Sequence, residues 1–152
     1  MAITELLAMP SQGVLLGLDP GTKTIGVAAS DALQLTALPV ETIHRGKKLT
    51  PSMMRLFELY DERNAVGMVL GLPLNMDGTQ GPRAQSVRAL ARQIIALRDI
   101  PIAFQDERMS SQEANRAMLE ADMSRARRAE SIDRSAAAII LQTAIDTIAN
   151  AS

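Results

Sequence analysis

The chain has 152 residues, 47% of them apolar, and a formal net charge of −1, which fits one compact domain better than two. It contains no cysteine, so disulfides and thiolate metal sites are excluded. Its longest apolar stretches, such as VGMVLGLPL, fall short of the roughly 18–20 residues of a membrane span. The first residues carry Glu5 and no Lys or Arg, unlike a signal peptide. We therefore expect a flexible extension over residues 1–12 and a single domain over residues 13–150, in the cytoplasm and with no membrane partner.

The charge balance argues against nucleic-acid binding by bulk electrostatics. Sixteen Lys and Arg residues stand against 17 Asp and Glu residues, whereas nucleic-acid-binding domains are usually basic overall. Two segments, 43–55 and 83–98, nevertheless contain basic residues and no acid, and solvated helix faces explain either segment equally well. With two Phe and one Tyr in the chain, a base-stacking platform is not expected. A bound polynucleotide would therefore be held through its phosphates and its shape.

Hydrophobic periodicity and turn residues predict the following elements in chain order. Apolar runs predict strands at 14–19, 24–30, 38–44, 65–70 and 100–105. Helical spacing predicts helices at 49–64, 82–97, 110–121 and 131–150, and the arginine-rich segment 123–130 is predicted to be a flexible loop. Short connections between the first three strands favour an antiparallel meander. The later alternation of helix and strand then indicates a mixed α/β sheet with a parallel part beside the first strand.

Acidic residues fall where such a sheet binds ligands, at the carboxyl ends of its parallel strands. Asp19 ends the first strand, and Asp106 and Glu107 follow the fifth. Because adjacent strand residues point to opposite faces, only one of Asp106 and Glu107 can face a site shared with Asp19. Taken alone, Asp19 is equally well explained as a turn residue that accepts backbone N–H bonds.

A further carboxylate, Asp133, lies on the apolar face of the last predicted helix. Ala136, Ala137 and Ile140 follow it at i+3, i+4 and i+7 and share its face. Charge complementarity at a helix N-terminus is the simple explanation, but a buried carboxylate needs a partner such as a cation. Convergent carboxylates without a His or Cys cluster suit Mg²⁺ or Mn²⁺, and two such ions support hydrolysis of phosphodiesters by water. The single His44 is expected on the surface.

The segments LGLDPGTKTIGVAASD, VGMVLGLPLNMDGTQGPRAQ, FQDERMSSQEA and IDRSAAAIILQ together resemble the YqgF family. Its members are described as pre-16S ribosomal RNA nucleases or Holliday junction resolvases. The resemblance covers roughly residues 14–145. It implies an RNase H-like α/β fold, with a five-stranded mixed sheet of order 3-2-1-4-5 flanked by helices on both faces, and a divalent-metal nuclease site.

The resemblance also implies roles for individual residues. The catalytic and metal-binding carboxylates fall on Asp19, Glu107 and Asp133, and they would hold Mg²⁺ or Mn²⁺, as two ions. Substrate contacts are expected from Lys23, Asn75, Asp77, Arg108, Arg127 and Arg128. The region before the last Asp is often lysine-rich in relatives, whereas here it is RARRAES, with arginine in place of lysine and with Glu130 among the basic residues.

Several alternatives stay open at this point. The substrate could be pre-16S ribosomal RNA, within ribosomal particles, or branched DNA. Junction resolution would need two active sites and therefore a homodimer, whereas RNA trimming needs only a monomer. A non-catalytic ribosome-assembly protein could keep the same fold. An ATP-binding domain of the actin and sugar-kinase type shares the D-x-G-T turn, but the second lobe that would close over a nucleotide is not expected in 152 residues.

Overall fold

The computed structural model describes residues 3–106 and 125–151, and over residues 125–135 it describes the helical backbone alone. The elements in chain order are a short 3-10 helix (Leu6–Ala8), β1 (Val14–Pro20), β2 (Thr24–Ser30), β3 (Ala37–His44), α1 (Thr50–Glu62), β4 (Ala65–Leu72), α2 (Pro82–Leu97), β5 (Ile102–Asp106) and α3 (Arg125–Asn150).

The five strands form one sheet of order β3-β2-β1-β4-β5. Strands β1, β2 and β3 make an antiparallel meander, and β4 and β5 run parallel to β1. The predicted strand order and the predicted mixture of pairings are therefore confirmed. Strand β1 is central because β2 and β3 lie on one side of it and β4 and β5 lie on the other.

Helices cover both faces of the sheet, as predicted. Helices α1 and α2 bury one face, in a core that includes Leu16 and Leu18 of β1. Helix α3 buries the other face, in a second core that includes Leu15 of β1 and Val69 of β4. Strand β1 is apolar on both faces because both are covered, which is typical of a central strand in an α/β sheet.

Gly17 allows α3 to approach β1 closely. A Cβ atom at residue 17 would lie 2.6 Å from Cβ of Leu141 and 3.0 Å from the backbone oxygen of Ala137. Both distances are shorter than the ~3.5–4.0 Å of ordinary van der Waals contact. At this distance between α3 and β1, only glycine fits at residue 17.

The N-terminal residues differ from the expected flexible extension. The amide of Thr4 donates to the carbonyl of Ile102 at 2.8 Å, and Met9 is 4% exposed within the α3-side core. Gln34 reaches back to this segment, with Nε2 donating to the carbonyls of Pro10 and Gly13. The prediction of a loose extension is wrong for residues 3–12, because an apolar side chain and backbone bonds fix them to the domain.

The start of the last helix is a second correction. A flexible loop was predicted over residues 123–130, but α3 already begins at Arg125. Alanine and arginine are strong helix formers, so the RARRAES segment continues the helix instead of interrupting it. The predicted helix over residues 110–121 lies outside the described residues. None of the helices that the structure describes is long and apolar enough to cross a membrane.

Candidate functional site

The carboxyl ends of β1, β4 and β5 meet at one edge of the sheet. Leu18 of β1 pairs with Leu70 of β4, and Leu70 pairs with Phe104 of β5. The next residue of β1 is Asp19, and the next pair between β4 and β5 is Gly71 with Gln105. The topology thus brings the first predicted carboxylate to the same edge as the end of β5.

Asp19 lies on the α3 face of the sheet. Residues alternate between faces along a strand, and Leu15 and Gly17 contact the α3 side whereas Leu16 and Leu18 contact the α1 and α2 side. The side chain of Asp19 is half-buried. This face is covered by α3, the helix whose backbone includes residue 133.

Glycine flanks Asp19 on both neighbouring strands. Asp19 pairs with Gly26 of β2, and the register of β1 with β4 brings Gly71 level with it on the other side. Paired residues point to the same face, so neither neighbour places a side chain beside the carboxylate. The two strand neighbours of Asp19 therefore contribute only backbone atoms at its level of the sheet.

Asp106 lies on the other face. It pairs with Leu72, which belongs to the core under α1 and α2, and Phe104 two residues earlier packs against that same core. Asp106 therefore does not share the face of Asp19. Glu107 and Arg108, the other two residues of the predicted DER motif, lie outside the described residues.

Helix α3 passes over β1 at Ala137, and residue 133 lies one helical turn before that point. Asp133, Arg127 and Arg128 all fall within α3, but on the stretch where only the backbone is described. The sequence prediction that Asp133 belongs to a helix packed on the sheet is confirmed, because α3 buries Ala137, Ile140 and Leu141 against β1.

The loop after β4 is held by its own hydrogen bonds. Asn75 Nδ2 donates to Thr79 Oγ1 at 3.0 Å, and Asp77 Oδ1 accepts from both the amide and the hydroxyl of Thr79 at 3.0 and 2.6 Å. The loop turns at Gly78, which has a φ of +87°, a value that favours glycine. Asn75 and Asp77, predicted as substrate contacts, thus shape the loop at the sheet edge.

The turn between β1 and β2 is braced from β3. The amide of Gly21 donates to the carbonyl of Thr24 at 2.7 Å, and the amide of Arg45 donates to the carbonyl of Lys23 at 2.8 Å. Arg45 Nη1 also donates to the carbonyl of Gly21 at 2.6 Å. The side chain of Lys23 is exposed on this turn, three residues beyond β1, so the predicted phosphate contact lies near Asp19 in the chain and open to solvent.

A cleft of about 210 Å³ opens beside this turn, on the α2 side of the sheet. Sequence reasoning did not single out this cleft. Its lining combines the turn after Asp19 with the first turns of α2 and with one residue after β3: Pro20, Gly21, Thr22, Arg45, Pro82, Arg83, Ser86, Val87 and Leu90. Among the described residues, this lining contains two arginines and no carboxylate.

Within the two basic segments, some arginines are paired with carboxylates and others are not. Arg55 is paired with Glu41 at 2.7 Å and Arg98 with Asp61 at 2.9 Å, and these carboxylates raise the pKa of both guanidinium groups. Arg45 and Arg83 instead line the cleft, and neither forms an ion pair within residues 3–106. Net charge along the segments could not make this distinction, because the acids lie on other elements.

The donor chemistry at the carboxyl edge fits a hard divalent cation. Asp19 supplies carboxylate oxygen, which Mg²⁺ and Mn²⁺ prefer, and the chain has no thiolate for a soft metal. His44 is exposed on the edge strand, as predicted. The side chains that the structure describes contain no group of three His, Asp or Glu residues placed to hold a metal, and Glu107 and the side chain of Asp133 are not among them.

Comparison with known proteins decides the family. The family model described as "RuvX: Holliday junction resolvase" matches residues 13–147. The chain belongs to the RuvX family. This is the YqgF family that the four motifs resemble, so the resemblance is confirmed. The match includes Asp19, Glu107 and Asp133.

Relatives in this family are similar over nearly their whole length. A protein of Rhodobacter capsulatus is 54% identical over 143 residues, which span 94% of this chain and 89% of the relative. A protein of Rhodospirillum rubrum is 54% identical over 142 residues, with 93% and 88% covered. Both carry the name "Putative pre-16S rRNA nuclease".

The fold is also that of a solved resolvase. The structure titled "T. thermophilus RuvC in complex with Holliday junction substrate" superposes with a TM-score of 0.58 at 13% identity, covering 92% of this chain and 98% of that one. At this identity the likeness establishes the RNase H-like fold alone.

Proposed function

We propose that this protein is a divalent-metal-dependent nuclease that hydrolyses phosphodiester bonds. The observation that carries the proposal is the position of Asp19: a half-buried carboxylate at the carboxyl end of the central strand, with glycine on both neighbouring strands and on the face covered by α3. Membership of the RuvX family and the nuclease names of its relatives support the same activity.

Asp19, Glu107 and Asp133 would hold the cations. The position of Asp106 on the opposite face supports the choice of Glu107 in the DER motif, since adjacent strand residues alternate. When bound, two Mg²⁺ or Mn²⁺ ions activate a water and stabilise the leaving oxygen of an in-line displacement.

Basic residues around this site would bind the substrate backbone. Lys23 on the exposed β1–β2 turn and Arg108 of the DER motif would orient the scissile phosphate. Arg127 and Arg128 in the first turn of α3 would contact the strand further from it. Asn75 and Asp77 act by shaping the loop that borders the sheet edge, because their side-chain atoms bond to Thr79.

The substrate that the relatives' names favour is pre-16S ribosomal RNA. Under this proposal the RNA is trimmed in the cytoplasm, with ribosomal particles as a further partner. The family description favours a second candidate, a Holliday junction or similar branched DNA. The two candidates differ in assembly, because paired cuts across a junction need two active sites and so a homodimer, whereas a monomer can trim RNA.

Cleavage assays on both substrates test the proposal. We expect purified protein to cut a pre-16S RNA leader transcript when Mg²⁺ or Mn²⁺ is present and to stop cutting in EDTA. Asp19→Asn should abolish cleavage and keep the fold, whereas Asp106→Asn, its matched control on the opposite face of the sheet, should keep most of the activity.

Two outcomes would contradict the proposal. Cleavage that survives Asp19→Asn would remove this carboxylate from the reaction. A wild-type protein that cuts neither RNA nor a four-way DNA junction, while Asp19→Asn still supports 16S maturation in cells, would favour a non-catalytic assembly role. Cleavage of the junction alone would favour the resolvase candidate.

A further inference from the structure

The cleft beside the β1–β2 turn is built from elements that favour an anion. Two arginines from different elements line it: Arg45 follows β3, and Arg83 lies in the first turn of α2. Thr22 and Ser86 add hydroxyl groups, and none of the lining residues that the structure describes is a carboxylate. Guanidinium groups match phosphate geometry with paired N–H donors, so the polar part of the lining suits a phosphate, beside the apolar side chains of Pro20, Pro82, Val87 and Leu90.

The start of α2 adds to the positive potential of the cleft. The helix begins at Pro82 after Gly81, with no side-chain cap and no acidic residue in its first turn. Pro82 has no N–H group, and the amides that follow it in the first turn carry partial positive charge. Together with the two arginines, this helix start gives the cleft a positive potential that favours anionic oxygen.

Arg45 is held in place, which reduces the entropic cost of binding. Its Nη1 donates to the carbonyl of Gly21 at 2.6 Å, and its amide donates to the carbonyl of Lys23. Neither bond involves a carboxylate, so its positive charge is not neutralised within residues 3–106. By contrast, the guanidinium of Arg55 is bound to Glu41.

The cleft is adjacent to the proposed catalytic edge. Pro20 and Gly21 line it and directly follow Asp19, so their Cα atoms lie within about two residue lengths, ~7 Å, of the Cα atom of Asp19. Pro20 falls on the α2 face, whereas Asp19 falls on the α3 face. The volume of about 210 Å³ is several times the ~30 Å³ share of one liquid water, so a phosphodiester group fits.

We propose that this cleft binds a non-scissile phosphate of the nucleic-acid strand, one or two nucleotides from the bond that is cut. The inference rests on the proposed nuclease function and deepens it by adding Arg45 and Arg83 as positioning residues. The strand would cross the carboxyl edge of the sheet over the β1–β2 turn, from the α3 face to the α2 face. Recognition is through the backbone, which agrees with the scarcity of aromatic residues.

Binding measured in the Asp19→Asn background tests the cleft without cleavage. The probes are a labelled single-stranded RNA oligonucleotide and a labelled four-way DNA junction, titrated by fluorescence anisotropy between 50 and 300 mM KCl, about a sixfold range over which phosphate contacts give a clear slope. The variants are Arg83→Ala alone and Arg45→Ala with Arg83→Ala. Arg92→Ala is the matched control, because residue 92 lies about 180° around α2 from residue 83.

We expect the double variant to weaken binding roughly tenfold. The slope of log K against log salt should fall in magnitude by ~0.7 for each phosphate that the variant no longer binds in single-stranded RNA, or by ~0.9 in duplex DNA. Arg92→Ala should bind as the parent does. With Asp19 intact, the double variant should raise KM by a larger factor than it lowers kcat. A response on one probe only would identify that nucleic acid as the strand in the cleft.

Replacing Arg45 also removes its hydrogen bond to the β1–β2 turn, so the double variant could lose affinity because the turn is distorted. The single variant Arg83→Ala controls for this effect, because Arg83 makes no bond to the turn. An affinity and a salt slope for both variants equal to those of Arg92→Ala would overturn the inference. In that case intact cleavage by the parent protein would leave the nuclease proposal standing. Absence of cleavage by the parent, with the binding effects still present, would instead refute the nuclease proposal and leave the phosphate site.

Discussion

The close approach of α3 to β1 at Gly17 permits a quantitative prediction for Gly17→Ala. The added Cβ would lie 2.6 Å from Cβ of Leu141 and 3.0 Å from the backbone oxygen of Ala137, so the helix must move by roughly 1 Å to restore ordinary contact. Overpacking of this kind costs about 1–3 kcal/mol. For a chain of 152 residues each kcal/mol lowers Tm by ~2–4 °C, so we expect a decrease of about 4–8 °C for a cost of ~2 kcal/mol.

Gly46→Ala is the matched control, because a Cβ at residue 46 has no neighbour within 4 Å. Thermal unfolding followed by circular dichroism should give a Tm for this control close to that of the parent. The shift of α3 should also reduce metal-dependent cleavage by Gly17→Ala at temperatures where the variant is folded, since α3 carries Asp133 and β1 carries Asp19. Equal Tm values for the two variants would refute the close packing of α3 on β1.

Three further predictions concern other parts of the domain. Arg55 donates two hydrogen bonds to Glu41 and lowers the pKa of that carboxyl. The pair therefore stabilises the fold above the unfolded pKa of Glu41, and this stabilisation is lost as the pH falls through the lower folded pKa. Glu41→Gln should thus flatten the pH dependence of the free energy of unfolding below about pH 4.5, measured by urea titration, and an unchanged dependence would exclude a stabilising pair. Asn75→Ala removes the bond to Thr79 and should speed amide hydrogen exchange in the loop with little change in Tm; unchanged exchange would show that the bond does not hold the loop. Met9→Ala should lower stability by about 2 kcal/mol or more, measured by urea unfolding, whereas a neutral result would favour a loose N-terminal extension after all.

The fold was predictable because the local signals and the long-range arrangement agree. The apolar run that ends at Asp19 must be buried on both faces, which predicts a central strand. The turns around residues 20–23 and 31–36 are too short for a crossover, so the next two strands pair antiparallel. The four motifs of the family added the strand order, which the structure confirms.

Other features depend on contacts that a single sequence does not reveal. Helix propensity alone could have extended α3 to Arg125, but the dense charge of that segment suggested a loop. The distinction between Arg55, which is paired with Glu41, and Arg45, which lines a cleft, arises only when β3 lies beside α1. The packing of Met9 likewise needs the sheet face that it covers to exist first.

The position of Asp19 at the carboxyl end of the central strand was predictable, and its surroundings were less so. The alternation of faces along β5 places Asp106 opposite Asp19, and this supports the prediction from sequence that only one acid of the DER motif belongs to the site. Gly26 and Gly71 lie beside Asp19 on different strands, and the sequence shows them only as separate glycines. The roles of Glu107, Asp133, Arg127 and Arg128 stay predictions.

The most direct test of the central claim is the position of Mn²⁺ in a crystal of the protein soaked with that ion. We predict anomalous density at the carboxyl end of β1, with oxygen atoms of Asp19, Glu107 and Asp133 at roughly 2.0–2.3 Å, the usual range for a hard divalent ion with carboxylate ligands. Density bound elsewhere, with Asp19 making no contact to it at a saturating concentration of Mn²⁺, would contradict the assignment of Asp19 as a metal ligand.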